Sequence, residues 1–294
     1  MTSNWDGVGL PPAARARLER AKDTGVATSL LSVNGQVGLD ACGFVPVGEV
    51  MGCLVMHIGF SGYGGCGWVW GAPPMTTMLS RSGGYGGFRP YLDAVESGWY
   101  GALTRMLSEC ASIGGDGVVA VQLTETDLGE GNREYLAMGT AVRSLGPTRP
   151  ARPFSTTLSG PDVAKLFHAG YMPFETIVAV SVGVRHDDYF TLRATQYGAG
   201  NIEVPGYTEL VHAVRADARS ELGRRVTRSG ADGAVLTTPL SIRVHELEVA
   251  EGHRDHFAIA SLVGAAIVRF SEQSTHLARP LSILPLSSFT KEHR

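Results

Sequence analysis

The amino-acid sequence predicts an α+β protein made of two halves that repeat the same order of elements. The stretches GFVPVGEV from Gly43 and GYMPFETI from Gly170 share a glycine and a proline at an offset of 127 residues. Each stretch opens an apolar run of strand length, and a long helical pattern follows it. Alternating strands then end the halves, with Gly139 and Gly264 at matching places. Each half is therefore predicted to be strand–helix–strand–strand.

Both long helical patterns end at a glycine, Gly114 in the first half and Gly230 in the second, as expected just beyond a helix C-terminus. Their apolar positions recur at helical spacing. These positions are Leu92, Val95, Trp99, Leu103, Met106 and Leu107, and then Leu210, Val214, Ala218, Leu222 and Val226. An Asp-Gly pair at Asp116 and at Asp232 follows and predicts a turn before a strand, which explains both aspartates without catalysis. A further short strand is expected before Gly43 or Gly170.

The repeat divides the chain into five segments. They are an N-terminal arm (1–27), a first domain (28–145), a proline-rich linker (146–154), a second domain (155–271) and an apolar C-terminal tail (272–294). The arm carries a short basic helical pattern that begins with proline and has a docking or solvating role. The linker is expected to be semi-extended. Residues 61–87 form an insertion, rich in glycine and aromatic residues, between the first strand and the first long helix.

Composition excludes several classes of protein. With 44% hydrophobic and 18% charged residues the chain can bury a core, and a net charge of −3 gives no basic surface for nucleic acid or anionic lipid. No apolar stretch is long enough for insertion into a membrane. The four cysteines lack CxxC spacing, and no signal segment is recognised. Both observations predict a reduced, cytoplasmic protein.

Three runs resemble the YbjQ-like (UPF0145) family of heavy-metal-binding domains. They are SRSGGYGGFRPYLDAV, GGDGVVAVQL and TETDLGEGNREYLAMGTAV. The resemblance covers about residues 30–143 well and 155–270 more loosely, as two tandem copies. It implies that each copy is a two-layer, dodecin-like domain in which an antiparallel sheet is covered by one long helix. It also implies a homo-oligomeric ring, with a pentamer favoured, so that the main partner is the chain itself.

The insertion contains Gly62, Gly64 and Gly67 at the G-x-G-x-x-G spacing of a dinucleotide-binding loop. Such a loop needs a helix that opens at its third glycine, and the following WVWGAPP cannot begin one. The second half has no counterpart of the motif. We therefore predict a glycine spacer without a cofactor, and we leave the role of Cys66 open.

Two groups of residues are candidate metal ligands. A hairpin in the second half could bring His245 toward His253 and His256, three imidazoles suited to a transition metal such as zinc or nickel. In the first half, Cys53 and His57 lie four apart on a predicted strand, about 13 Å at ~3.3 Å per residue, so each needs other ligands. The alternative for both groups is an ordinary structural role.

Aromatic residues gather in and beside the insertion, which suits either a subunit contact or the stacking of a flat ligand. They are Phe60, Tyr63, Trp68, Trp70, Tyr85 and Phe88. The sequence thus favours a non-enzymatic, ring-forming protein with heavy-metal binding. A module that binds or sequesters a flat small molecule is the alternative. An enzyme ranks third, because no G-x-S-x-G elbow or other catalytic set is found.

Overall fold

The computed structural model describes residues 5–7, 9–24, 28–59, 77–81, 88–237, 240–250 and 253–271. The predicted C-terminal tail and most of the glycine-rich insertion, including Cys66 and the G-x-G-x-x-G motif, lie outside these ranges. Within them, no helix is both long and apolar enough to cross a membrane.

Six helices and nine strands are found in the described part of the chain. The helices are α1 (Pro12–Thr24), α2 (Val33–Ala41), α3 (Arg89–Ser112), α4 (Gly160–His168), α5 (Tyr189–Ala194) and α6 (Pro205–Ser229). The strands are β1 (Phe44–His57), β2 (Met78–Leu79), β3 (Gly117–Gly129), β4 (Asn132–Ser144), β5 (Phe154–Ser155), β6 (Tyr171–His186), β7 (Gly233–Val235), β8 (Ser241–Ala250) and β9 (His253–Arg269).

The strands form two largely antiparallel sheets. The first sheet has the order β1-β4-β3-β5, and the second has the order β2-β6-β9-β7, with β8 also paired to β9. The predicted order of strand, long helix, strand, strand is found in both halves. The strand that follows the long helix is continuous in the first half, as β3, whereas in the second half it is divided into β7 and β8. The predicted glycines follow both long helices, with φ of +75° at Gly114 and +79° at Gly230.

The residues directly before Gly43 and Gly170 form the helices α2 and α4. In the second half a short strand, β5, precedes Gly170 as expected, but it ends five residues before α4 begins and does not lie next to the glycine. Ser32 and Ser159 are the N-caps of α2 and α4, with nearly identical φ/ψ of −70°/165° and −70°/162°. Although α2 holds glycine and β-branched residues, its packing against α4 outweighs this weak helix propensity.

The N-terminal arm contains a longer helix than expected, the 13 residues of α1. Arg17 of α1 pairs with Glu109, which is fully buried on α3. The ring of Trp5 lies 4.8 Å from the guanidinium carbon of Arg105, also on α3. The arm is therefore docked on the first half through α3.

The layers follow the order first sheet, α3, second sheet, α6. A Cβ on Gly52 of β1 would lie 1.9 Å from the backbone oxygen of Ala102 on α3. On the other side, a Cβ on Gly183 of β6 would lie 2.6 Å from the side chain of Val214 on α6. Both helices thus lie close to a sheet at a glycine that makes room for them. The opposite face of the second sheet packs against α3 in one continuous hydrophobic cluster.

Candidate functional site

His245 and His256 lie on neighbouring strands but on opposite faces of the second sheet. In the β8–β9 pair, His245 stands opposite Phe257, and His256 stands opposite Glu246. Because successive side chains of a strand point to opposite faces, the two imidazoles point away from each other. The structure does not bring these two predicted ligands together. His253 begins β9, but its side chain lies outside the described part.

His256 is part of a buried hydrogen-bonded cluster. It is 6% exposed, and its Nδ1 lies 3.0 Å from Asp187 Oδ1 while its Nε2 lies 3.1 Å from Tyr207 Oη. Next to it, His186 Nδ1 lies 2.6 Å from Oδ1 of the buried Asp255. Burial raises the pKa of Asp255 to about 6, although nearby His256 lowers it. Both ring nitrogens of His256 are occupied, so metal coordination by this residue would break a hydrogen bond.

His245 lies between the sheets, where its ring stacks on Phe257 with 4.8 Å between centroids. Burial, together with Arg243 and Arg133, lowers its pKa and favours the neutral imidazole. Its Nε2 is buried without a hydrogen-bond partner, as are Tyr135 Oη and Trp99 Nε1. This part of the core therefore holds polar atoms that could form hydrogen bonds with a further group.

Cys53 and His57 each have a separate neighbour on β4. The Cys53 thiol donates to Glu134 Oε1 at 3.0 Å, and His57 Nδ1 lies 3.1 Å from Asn132 Oδ1. Burial, followed by the hydrogen bond and the charge of Glu134, raises the pKa of Cys53 to about 11. Since a thiolate is the metal-binding form, this environment disfavours coordination at neutral pH.

The most extensive polar contact joins the two halves. Between α3 and α6, Arg81 approaches Glu96 at 2.5 Å and Glu221 at 3.6 Å, and Arg225 approaches the same carboxylates at 2.6 and 2.7 Å. Glu221 is buried, which raises its pKa, but hydrogen bonds from Arg225 and Arg224 outweigh this effect and lower the pKa to about 2. Glu96, Glu221 and Arg225 were not among the residues predicted from the sequence, and Arg81 stood there only as part of a family motif. The Glu-x-x-Arg-Arg spacing on one predicted helix is a signal that could have done so.

Apolar and backbone contacts extend the same interface. Four valines of β6 that share one face lie in the hydrophobic cluster with α3: Val178, Val180, Val182 and Val184. Tyr100 Oη donates to the Val178 carbonyl at 3.1 Å and accepts from the Val178 amide at 3.4 Å. The α3 helix of the first half therefore covers a face and an edge of the second sheet.

Each half also adds a short strand to the sheet of the other half. From the first half, β2 pairs with β6, with Met78 opposite Val184. From the start of the second half, β5 pairs in parallel with β3, with Ser155 opposite Val118. Two equivalent edges have no such partner in the described part of the chain, namely the outer edges of β1 and β7.

Comparisons with known proteins show the family to which this chain is related. The model of a family described as "Putative heavy-metal-binding" matches residues 75–144. The "Encapsulin nanocompartment protein Rv1762c" of Mycobacterium tuberculosis is 31% identical over 239 residues, which cover 77% of this chain and 81% of that protein. The chain belongs to the YbjQ family. A UPF0145 protein of Vibrio campbellii is 35% identical over 60 residues, 20% of this YbjQ chain and 58% of that protein. No solved structure matches significantly.

The match to the YbjQ family model includes β2, α3, β3 and β4, of which β2 and α3 contact the second sheet. The described residues do not form a binding site for the heavy metal that the family's description names. Among them, no group of three or more His, Cys, Asp and Glu side chains could hold an ion. The contact between the halves, rather than a metal centre, is the most developed site in this part of the YbjQ chain.

Proposed function

We propose that the protein is a non-enzymatic, cytoplasmic subunit that assembles with copies of itself into a ring, with a pentamer favoured. In this proposal the chain consists of two tandem, dodecin-like YbjQ domains. Three observations support the tandem: the shared order of elements, the matching caps of α2 and α4, and the positive φ of Gly43 and Gly170, +74° and +82°. A zinc or nickel ion would need ligands beyond those that one chain brings together in its described part.

The observation that carries the proposal is where exposed apolar side chains lie. In the described residues, thirteen large hydrophobic side chains are exposed. Nine of them lie at two surfaces that we call the free ends, one on residues 30–55 of the first half and the other on residues 189–236 of the second half. Counterparts of the first free end, such as Gly160 and Val182, are buried at the contact between the halves. At the first free end these are Leu30, Val33, Val37 and Val55, and at the second they are Tyr189, Phe190, Tyr197, Ile202 and Leu236.

In this proposal the two free ends can bind each other in different copies, because they correspond to the two surfaces that meet inside one chain. Residues 77–81 before α3 cover the edge of β6. In the proposal the corresponding place before α6 is taken by residues 189–204, whose exposed aromatic side chains would cover the edge of β1 in another copy. The contact inside the chain is heterologous, because α3 packs on the second sheet while α6 does not pack on the first sheet to a comparable extent. A heterologous contact that repeats generates a ring when the rotation closes.

The relative from Mycobacterium tuberculosis also supports the proposal, because its name places it in an encapsulin nanocompartment. We infer that this chain, too, works as part of a protein assembly. Such a role requires self-association or docking and no chemistry, which agrees with the lack of a catalytic set recognised in the sequence.

Light scattering coupled to gel filtration tests the proposal at micromolar concentration. We expect a mass several times that of the 31.2 kDa chain. The variant Leu236→Lys should lower this mass, because it places a charge on the second free end. Leu128→Lys is the matched control, since Leu128 is similarly exposed (54% against 50%) but lies outside both ends. A monomeric wild-type protein would overturn the proposal.

A second candidate function is the binding of a flat molecule. It is favoured by three buried atoms without a hydrogen-bond partner, on His245, Tyr135 and Trp99. The His245 ring stacks on Phe257, which in turn stacks on Phe88 with 5.6 Å between the ring centroids. Protein purified under native conditions should then show absorbance from a bound chromophore, or a raised melting temperature with added riboflavin or FMN. The candidate is rejected if neither signal is seen in wild type.

A further inference from the structure

We propose that residues 28–31 of one copy add as a parallel strand to the free edge of β7 in the next copy. The two halves then alternate around the assembly. This inference rests on the proposed self-assembly and names the segments that meet. The segment 28–31 is called the donor segment, and 154–158, its counterpart in the second half, is called the internal donor.

The internal donor shows how such a strand binds. It runs beside β3 of the first half, where the Thr156 amide donates to the Val118 carbonyl at 2.9 Å. In return, the Val121 amide donates to the Thr156 carbonyl at 3.0 Å. The Ala120 amide donates to the Leu158 carbonyl, also at 3.0 Å. Within this contact Thr156 is fully buried and Leu158 is 4% exposed.

The donor segment has the same local conformation but is exposed. The Leu31 amide donates to Ser29 Oγ at 3.1 Å, just as the Leu158 amide donates to Thr156 Oγ at 3.2 Å. The matching N-caps at Ser32 and Ser159 continue the likeness into α2 and α4. Nevertheless Thr28, Ser29 and Leu30 are exposed, whereas their counterparts in the internal donor are buried or half-buried. The donor segment thus has the conformation of the internal donor but pairs with no described strand of its own chain.

The edge of β7 has the matching properties of an acceptor. It corresponds to the part of β3 that receives the internal donor, since Gly117 and Gly233 both follow the Asp-Gly turn. Among the described strands, β7 pairs only with β9, which lies on the side opposite this edge. Leu236 and Thr237 are exposed, and Thr237 Oγ1 also lies 2.7 Å from Thr157 Oγ1 of the internal donor in the same chain. A cavity of about 340 Å³ lies beside Leu236, lined by Leu222, Val226, Ala234 and Leu262 among others. Apolar surface therefore lies beside a strand edge that no described strand covers, and such an edge can accept a further strand.

The acceptor of the donor segment has to belong to another copy. Inside the chain, the internal donor leaves its own sheet and binds β3 of the half that precedes it. The donor segment is held over its own half, where the Leu30 amide donates to Thr140 Oγ1 on β4 at 3.0 Å. The first half is in turn fixed to the β6 edge and one face of the second sheet through β2 and α3. Repetition of the internal contact therefore sets residues 28–31 of the next copy on β7.

Disulfide crosslinking tests this pairing directly. Thr28 and Ala234 occupy the places of Ser155 and Val118, which are directly opposite in the internal contact. The variants Thr28→Cys and Ala234→Cys are purified separately, mixed, and oxidised with copper phenanthroline. We expect a covalent dimer in the mixture, at least tenfold above each single variant oxidised alone. A mixture of Thr28→Cys with Thr124→Cys, an exposed position elsewhere on β3, controls for random collisions.

The outcomes separate this inference from the proposed function. If light scattering shows an assembly but the Thr28→Cys and Ala234→Cys mixture gives no excess dimer, the pairing is wrong and self-assembly stands. Dimers formed by Thr28→Cys alone would indicate a two-fold contact and would also overturn the pairing. If both variants and the wild type are monomers, the proposed function itself fails. Gel filtration of each variant before oxidation shows whether the cysteine has disturbed the assembly.

Discussion

Replacing Glu221 by glutamine should strongly destabilise the fold. Its side chain is 6% exposed and lies within 3.0 Å of Arg224, Arg225 and Arg228. The pKa of Glu221 falls from 4.5 to about 2 in the folded protein. A shift of this size corresponds to about 3 kcal/mol of stability. The Glu221→Gln variant keeps the shape of the side chain but removes the charge, so it should lose about that amount.

Urea unfolding followed by circular dichroism measures this loss, at one fixed protein concentration because an oligomer's stability depends on it. The folded-state pKa of Glu221 is depressed below its unfolded value. Its contribution is therefore complete above pH 4.5 and is lost as the pH falls toward 2. The difference between wild type and Glu221→Gln should be about 3 kcal/mol at pH 7 and should shrink through this window.

A matched control separates a buried ion pair from an exposed one. Asp93 pairs with Arg89 at 2.9 Å on the surface of α3, with both side chains more than half exposed. Asp93→Asn should cost less than about 0.5 kcal/mol. If Glu221→Gln costs no more than Asp93→Asn, or if its effect is unchanged near pH 2, the assigned role of the network between the halves is wrong.

Three further predictions test other parts of the structure. Gly160→Ala should lower the free energy of unfolding by about 2 kcal/mol or more, since its Cβ would lie 2.1 Å from the Gly35 carbonyl oxygen. Gly223→Ala, on the open side of α6, should instead raise the stability of the fold slightly. Thermal unfolding of both variants checks this prediction. The pKa of Asp255 is raised to about 6, so its contribution to stability is present below pH 4 and lost as the pH rises to 6. Urea unfolding should show that Asp255→Asn loses this pH dependence, and an unchanged pH profile would contradict the assignment. Glu134→Gln should make Cys53 react faster with iodoacetamide at pH 8, measured by peptide mass spectrometry, because the charge of Glu134 helps to raise the thiol pKa; an equal rate would contradict it.

Local signals in the sequence predicted much of each half. The long apolar periodicities with a glycine beyond them placed α3 and α6, and the Asp-Gly turns placed the starts of β3 and β7. These features depend on a few neighbouring residues, which is why one sequence is enough to recognise them. The helix before Gly43 was missed because Val33–Ala41 has weak helix propensity and is supported by its contact with α4.

The relation between the halves could not be predicted in the same way. Whether α3 covers one sheet or two depends on contacts between residues far apart in sequence, such as Tyr100 with Val178. One signal was available, the nearly unbroken apolar run of β6, which is typical of a strand buried on both faces. The same reason explains why the predicted metal ligands do not come together. The spacing of His245 and His256 showed that they are close in sequence, and the strand register then placed them on opposite faces.

Native mass spectrometry of the full chain at micromolar concentration tests the central claim most directly. If the free ends meet head to tail and the ring closes, one species should dominate, at a whole multiple of 31.2 kDa, with five copies favoured. The Leu236→Lys variant should shift that population toward smaller species. A dominant 31.2 kDa monomer would contradict self-assembly, and a series of ever longer oligomers would contradict a closed ring.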